Sequence, residues 1–165
     1  MMRTLLSTAA ILAMGSAGLA AWQPAQGSDD IKLDLMASLH GRCTAIVVAG
    51  KEAACSPKAG VLVTRLKNNR TLVMIGMADG KSALTFVGEG PRTSAADLPD
   101  LRLSRVYVGS SPDAPHIDVD GACSLSRGPD GKALASLSCE AKDGAGARYS
   151  LQFETAGAPP DIQRF

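Results

Sequence analysis

From residue 43 onward, apolar residues recur at every second position, and short runs of turn-forming residues interrupt the pattern. Alternation of this kind puts apolar side chains on one face of a strand and polar ones on the other, so it predicts strands. They fall at 44–48, 61–66, 71–77, 82–88, 101–108, 117–125, 132–140 and 149–153. Before them, Ile31, Leu35 and Leu39 recur every four residues between Ser28 and Gly41, which predicts a short helix over 30–39 with His40 at its end. Ile31, Leu33 and Leu35 also alternate, which is the strand pattern. The expected fold class is all-β with one short N-terminal helix: a small antiparallel sandwich or barrel of about eight strands, held by two disulfides.

Asn68-Asn69 and Asp79-Gly80 tolerate positive φ and predict two tight hairpins. With Asn68-Asn69 central, Thr64 faces Val73 and Leu62 faces Ile75. With Asp79-Gly80 central, Ile75 faces Leu84 and Val73 faces Phe86. One face then carries Leu62, Thr64, Leu66, Val73, Ile75, Met77, Leu84 and Phe86 and is the expected core. The other carries Val61, Val63, Leu72, Met74 and Val87, with Arg65 as its only charge. Either the rest of the chain covers that second face or it is an interaction face, because large exposed apolar patches mark interaction sites. The loop at 90–99 is a further candidate contact.

The first residues read as an address. Met1-Met2-Arg3 is a positive start, residues 5–19 are apolar and uncharged, and Gly18-Leu19-Ala20 offers small residues at a cleavage site. That is the layout of a secretory signal peptide over 1–20. Residues 21–30 read as a linker, 31–157 as a single β-rich domain, and 158–165 as a tail beyond Pro159-Pro160. Cleavage removes Arg3 and no acid, which leaves 16 basic against 16 acidic residues. A neutral chain lacks the basic footprint of a nucleic-acid binder and has little long-range steering for charged partners. No apolar run of membrane-spanning length follows the signal. An outer-membrane barrel is disfavoured because its strands need about 9–11 residues, longer than most of the strands read here.

Cys43, Cys55, Cys123 and Cys139 all follow the signal, and an even count in an exported chain implies a disulfide framework. Of the three connectivities, Cys43–Cys55 and Cys123–Cys139 each flank one short turn and are the expected pairs. Zinc ligands usually come as tight pairs with two to four residues between them, unlike the offsets of 12 and 16 here.

The catalytic inventory is thin, with two histidines and no Gly-x-Ser-x-Gly, phosphate-loop or His-Glu-x-x-His motif. The sharpest constellation is His116-Ile117-Asp118-Val119-Asp120. On a strand, His116, Asp118 and Asp120 share one side and make candidate metal ligands, although Ile117 and Val119 already require a polar outer face there. No cofactor is expected.

The motifs Leu39-His40-Gly41-Arg42-Cys43-Thr44 and Gly121-Ala122-Cys123, with the closing Phe153-Glu154-Thr155, resemble those of small exported proteins of unknown function from alphaproteobacteria. The resemblance implies periplasmic residence and two disulfides, and it transfers no activity or catalytic residue. The expected function is a periplasmic or secreted non-enzymatic β domain that binds a protein or cell-envelope component. The alternatives are a small-barrel protease inhibitor and a metal-dependent protein using His116, Asp118 and Asp120.

Overall fold

The computed structural model describes residues 32–56, 60–90, 100–109, 114–128 and 133–165. The first strand, β1 (Leu33–Val48), organises the rest. Leu35, Ala37 and Leu39 point inward and are nearly fully buried, with Asp34, Met36 and Ser38 between them. The alternation therefore prevails over the four-residue spacing, and from residue 33 the span read as a helix is strand. A helix there would offer one apolar stripe. The strand instead pairs along both edges, which satisfies its backbone as well as burying its leucines. Residues 30 and 31 lie outside the described residues. His40, expected at a helix end, is an exposed β1 residue whose carbonyl accepts the Ala156 N–H.

Beyond β1 come β2 (Lys51–Ala53), β3 (Gly60–Leu66), β4 (Arg70–Gly76), β5 (Ala83–Glu89), β6 (Leu101–Gly109), β7 (His116–Arg127), β8 (Leu134–Asp143), β9 (Arg148–Thr155) and β10 (Asp161–Arg164). Each of β3 to β9 pairs antiparallel with its neighbour in sequence. The first half of β1 pairs with β3, from Leu33 opposite Leu66 to His40 opposite Gly60. Its second half pairs with β9, from Gly41 opposite Thr155 to Val47 opposite Ser150. One strand thus joins both ends of the sheet and closes an eight-stranded antiparallel barrel. Of the two expected architectures, sandwich or barrel, the chain forms the barrel.

Gly41 sits where β1 leaves β3 for β9. A Cβ at this position would overlap the Glu154 carbonyl oxygen and lie 2.7 Å from the Thr155 Cα. Gly121 on β7 is equally tight against the Glu140 carbonyl oxygen, with the Ala141 Cα at 2.6 Å. Side-chain-free positions of this kind let a strand bend against its neighbour.

An eight-stranded barrel has room inside for side chains and little else. Phe86, Phe153, Ile75, Leu84, Leu137 and Leu151 fill it, each at most 1% exposed. Burying such a side chain contributes roughly 1.5–3 kcal/mol.

The two disulfides are Cys43–Cys55 and Cys123–Cys139, the pairs expected from the turns they flank. Cys123 and Cys139 face each other across β7 and β8 inside the barrel. Cys43 lies just past the Gly41 bend, and Cys55 bridges to Met77 at the end of β4. That staple therefore ties the crossing segment of β1 to the neighbouring wall.

Two further expectations change. The β3–β4 loop has three residues, 67–69, closed by the Asn69 N–H donating to the Leu66 carbonyl at 3.1 Å, and of its two asparagines only Asn69 takes positive φ. A turn followed by one left-handed residue is the common three-residue hairpin. The pairing slips by one, so Val63 faces Val73 and Val61 faces Ile75. A slip of one exchanges the two faces of β3. Arg65 follows Val61 and Val63 and meets the Asp34 carboxylate at 2.7 Å. The second hairpin holds its expected register, with Val73 facing Phe86 and Ile75 facing Leu84. The segment after Pro159-Pro160, read as a tail, forms β10 and pairs with Leu35–Ser38 of β1. The prolines redirect the chain onto the edge that β9 leaves open.

Because a Cβ at position 41 has no free space, Gly41→Val should lower stability by about 3 kcal/mol in urea unfolding. Gly144→Ala, with nothing within 4 Å of its added carbon, should stay within about 0.5 kcal/mol of the parent. Equal effects would remove the special role of position 41. Replacing either cysteine pair by alanines should cost about 3 kcal/mol for loops of this size, read by the same unfolding.

Candidate functional site

The outward positions of β4, β5 and β6 form a groove of about 660 Å³. Leu72, Met74 and Gly76 on β4 stand opposite Val87, Thr85 and Ala83 on β5. Tyr107 on β6 stands opposite Thr85, and Leu66 closes the end nearest the β3–β4 turn. The large side chains build the walls. At the other end, Gly76, Gly80, Ala83 and Gly109 leave a depression. Met74 is 38% exposed, high for a large apolar side chain. The volume lies within the range of about 300–1,000 Å³ usual for ligand sites, and a mostly apolar lining is typical of them.

Arg70 lines the Leu66 end and Lys81 the opposite end, so the apolar floor runs between two cations. The Lys81 end is fixed by Asp79. Its carboxylate accepts the Ser82 hydroxyl at 2.6 Å and the Lys81 and Ser82 backbone N–H groups at 2.9 and 2.8 Å. Those bonds favour the ionised form, the Ser82 hydroxyl most of all, and hold the Asp79 pKa at about 2.

Of the five residues expected on an interaction face, Leu72, Met74 and Val87 line this groove. Val61 and Val63 do not: they are 1% and 2% exposed and point into the barrel, because of the slip at the first hairpin. Sequence reasoning missed Tyr107 and Leu66. A bulge between Leu103 and Arg105 shifts the inside–outside phase of β6, and the sequence carries its signal: Leu101 and Leu103 alternate, then Val106 and Val108 alternate out of phase with them, with Arg105 between. The candidate loop lies outside the described residues apart from Gly90.

His116, Asp118 and Asp120 lie on the outer wall of β7, as the alternation requires. The Asp118 carboxylate lies 3.8 Å from Arg105 Nε and 3.7 Å from His116 Nε2, and Asp120 is 3.9 Å from Arg102. Asp118 and Asp120 are 83% and 89% exposed. Each acid thus faces an arginine of β6, in ion pairs worth about 1 kcal/mol or less in water. Among the described residues no three His, Cys, Asp or Glu side chains are placed to share a metal ion.

The outer wall of β7 to β9 is polar. Ser126 and Ser136 hydrogen bond across β7 and β8, Gln152 donates to Ser138, and Arg148 pairs with Glu140. A barrel spanning a membrane needs an outward apolar band all the way round. Here the apolar outward residues cluster on β3 to β6. Several strands are longer than the sequence suggests, with β7 at 12 residues and β8 at 10, so strand length does not discriminate; wall polarity does. No helix among the described residues is long and apolar enough to cross a membrane.

Fold and site together define a closed, disulfide-stapled antiparallel barrel with a filled interior and an apolar groove on one outer wall. The chain matches no family model, no curated protein and no solved structure.

The pKa of Asp79 gives a test of the groove's Lys81 end. A carboxyl held below its ordinary value stabilises the fold above about pH 4, and that contribution is lost as pH falls through about 2. The amide resonances of Lys81 and Ser82 should therefore titrate near pH 2; a midpoint near 4 would mean the carboxylate does not hold the turn.

Proposed function

We propose that this chain is an exported, non-enzymatic β-barrel that binds an apolar segment of a protein or envelope component along the outer groove of β4, β5 and β6. The observation that carries the reading is the floor of that groove, where Leu72, Val87, Met74 and Tyr107 form one apolar strip, whereas the outer wall of β7 to β9 carries charged, amide and hydroxyl groups. Burial of such a strip supplies affinity without any catalytic group. Export and periplasmic or secreted residence are supported by the leader sequence and by two disulfides, which persist in oxidising compartments.

A photo-crosslinking side chain placed at position 74 in exporting cells should give a discrete adduct with an envelope protein or lipid. The same group at position 138, on the polar wall, should not. Adducts equal at both positions, or none at 74, would overturn the reading.

A further inference from the structure

We infer that the groove takes a free long-chain fatty acid, with its carboxylate on Arg70 and its hydrocarbon chain along the strip as far as the depression at Gly76. The inference rests on the binding reading above and names the chemical class of the envelope component.

Arg70 and Gly76 are the two ends of β4, and the steps between them cover about 20 Å at roughly 3.3 Å each. That is the reach of one extended long acyl chain. Over this distance the outward residues of β4 are Leu72 and Met74, with Val87 and Thr85 opposite them on β5. Both strands are paired along both edges. An extended peptide would therefore find no free strand edge here, and main-chain pairing is what gives strand addition its affinity. A hydrocarbon chain needs only the apolar surface.

The charges choose among apolar ligands. Among the described residues the charged lining of the groove is Arg70 and Lys81, one cation at each end. A second copy docked face to face on a two-fold axis would set Arg70 of one copy against Arg70 or Lys81 of the other, like charge on like charge. An anionic amphiphile is complementary instead. The two cations differ in their surroundings. Lys81 lies in the field of the ionised Asp79 carboxylate. Arg70 has Glu89 opposite it on β5, but among the described residues no ion pair joins the two. The planar guanidinium fork can meet a carboxylate with two hydrogen bonds. With an acid opposite, one arginine balances a monoanion better than a phosphate, which carries up to about two charges. At the far end, a Cβ added at Gly76 or Gly80 meets nothing within 4 Å, so the depression has room for the end of the chain.

Palmitate binding to the exported protein, measured below the acid's micelle concentration, tests this, with octanoate and uncharged cetyl alcohol as comparisons. Saturable one-to-one binding of palmitate is expected, more than about tenfold tighter than octanoate because each buried methylene adds affinity. Arg70→Gln should weaken palmitate by about threefold to tenfold and leave cetyl alcohol unchanged, and Lys81→Gln should leave palmitate nearly unchanged. Gly76→Leu fills the depression and should weaken palmitate while sparing octanoate, which is too short to reach it. Circular dichroism identifies any variant that fails to fold; Met74→Glu, which sets an anion in the middle of the strip and should abolish binding, then takes its place. No saturable palmitate binding, binding that any of the folded variants Arg70→Gln, Gly76→Leu or Met74→Glu leaves unchanged, or a loss with Lys81→Gln in place of Arg70→Gln overturns the inference. No palmitate binding together with an adduct between position 74 and an envelope polypeptide removes this inference and keeps the proposed function; neither binding nor adduct removes both.

Discussion

The fold depends on one strand serving two neighbours. β1 gives its first half to β3 and its second half to β9, and closure rests on the bend between them. At that bend the backbones of Gly41 and of Glu154 and Thr155 come too close for any side chain. Without the crossing, β3 and β9 would each expose an edge of unpaired backbone groups, a template for association with other chains. Once the crossing forms, two short pieces finish the edges of β1: β2 beside Ile46–Val48 and β10 beside Leu35–Ser38. The disulfide from Cys43 reinforces the same place.

The two Gly-x-Cys blocks gain a common physical reason here. Gly41 and Gly121 each mark a close approach of neighbouring strands, and the cysteine two residues on is disulfide-bonded in each case. Bending a strand inward and stapling it nearby is one structural solution used twice.

Much of this was legible in the residues. The strands, the two disulfides and the register at Asp79-Gly80 follow from alternation, from cysteine count and from a turn symmetric about two residues. What failed did so for local reasons. Asn68 and Asn69 look equivalent in sequence, yet only Asn69 takes positive φ, and that difference moves Val61 and Val63 from the outer wall to the interior. Residues 33–39 satisfy both a helical and a strand spacing, and pairing along two edges of β1 decided between them. β10 was hidden because Pro159-Pro160 reads as an end, whereas here it is a change of direction. Three groove residues, Leu72, Met74 and Val87, were visible as outward apolar positions, while Tyr107 was masked by the bulge in β6. The interior is filled with side chains, and apolar outward residues concentrate on one side of the outer wall.

Closure through β1 is tested most directly by cross-strand nuclear Overhauser contacts in the folded protein. Backbone contacts of Leu35–His40 with β3 and of Gly41–Val47 with β9 are expected in the same molecule. Contacts to β3 with none to β9 would mean an open sheet, and would contradict the closed barrel.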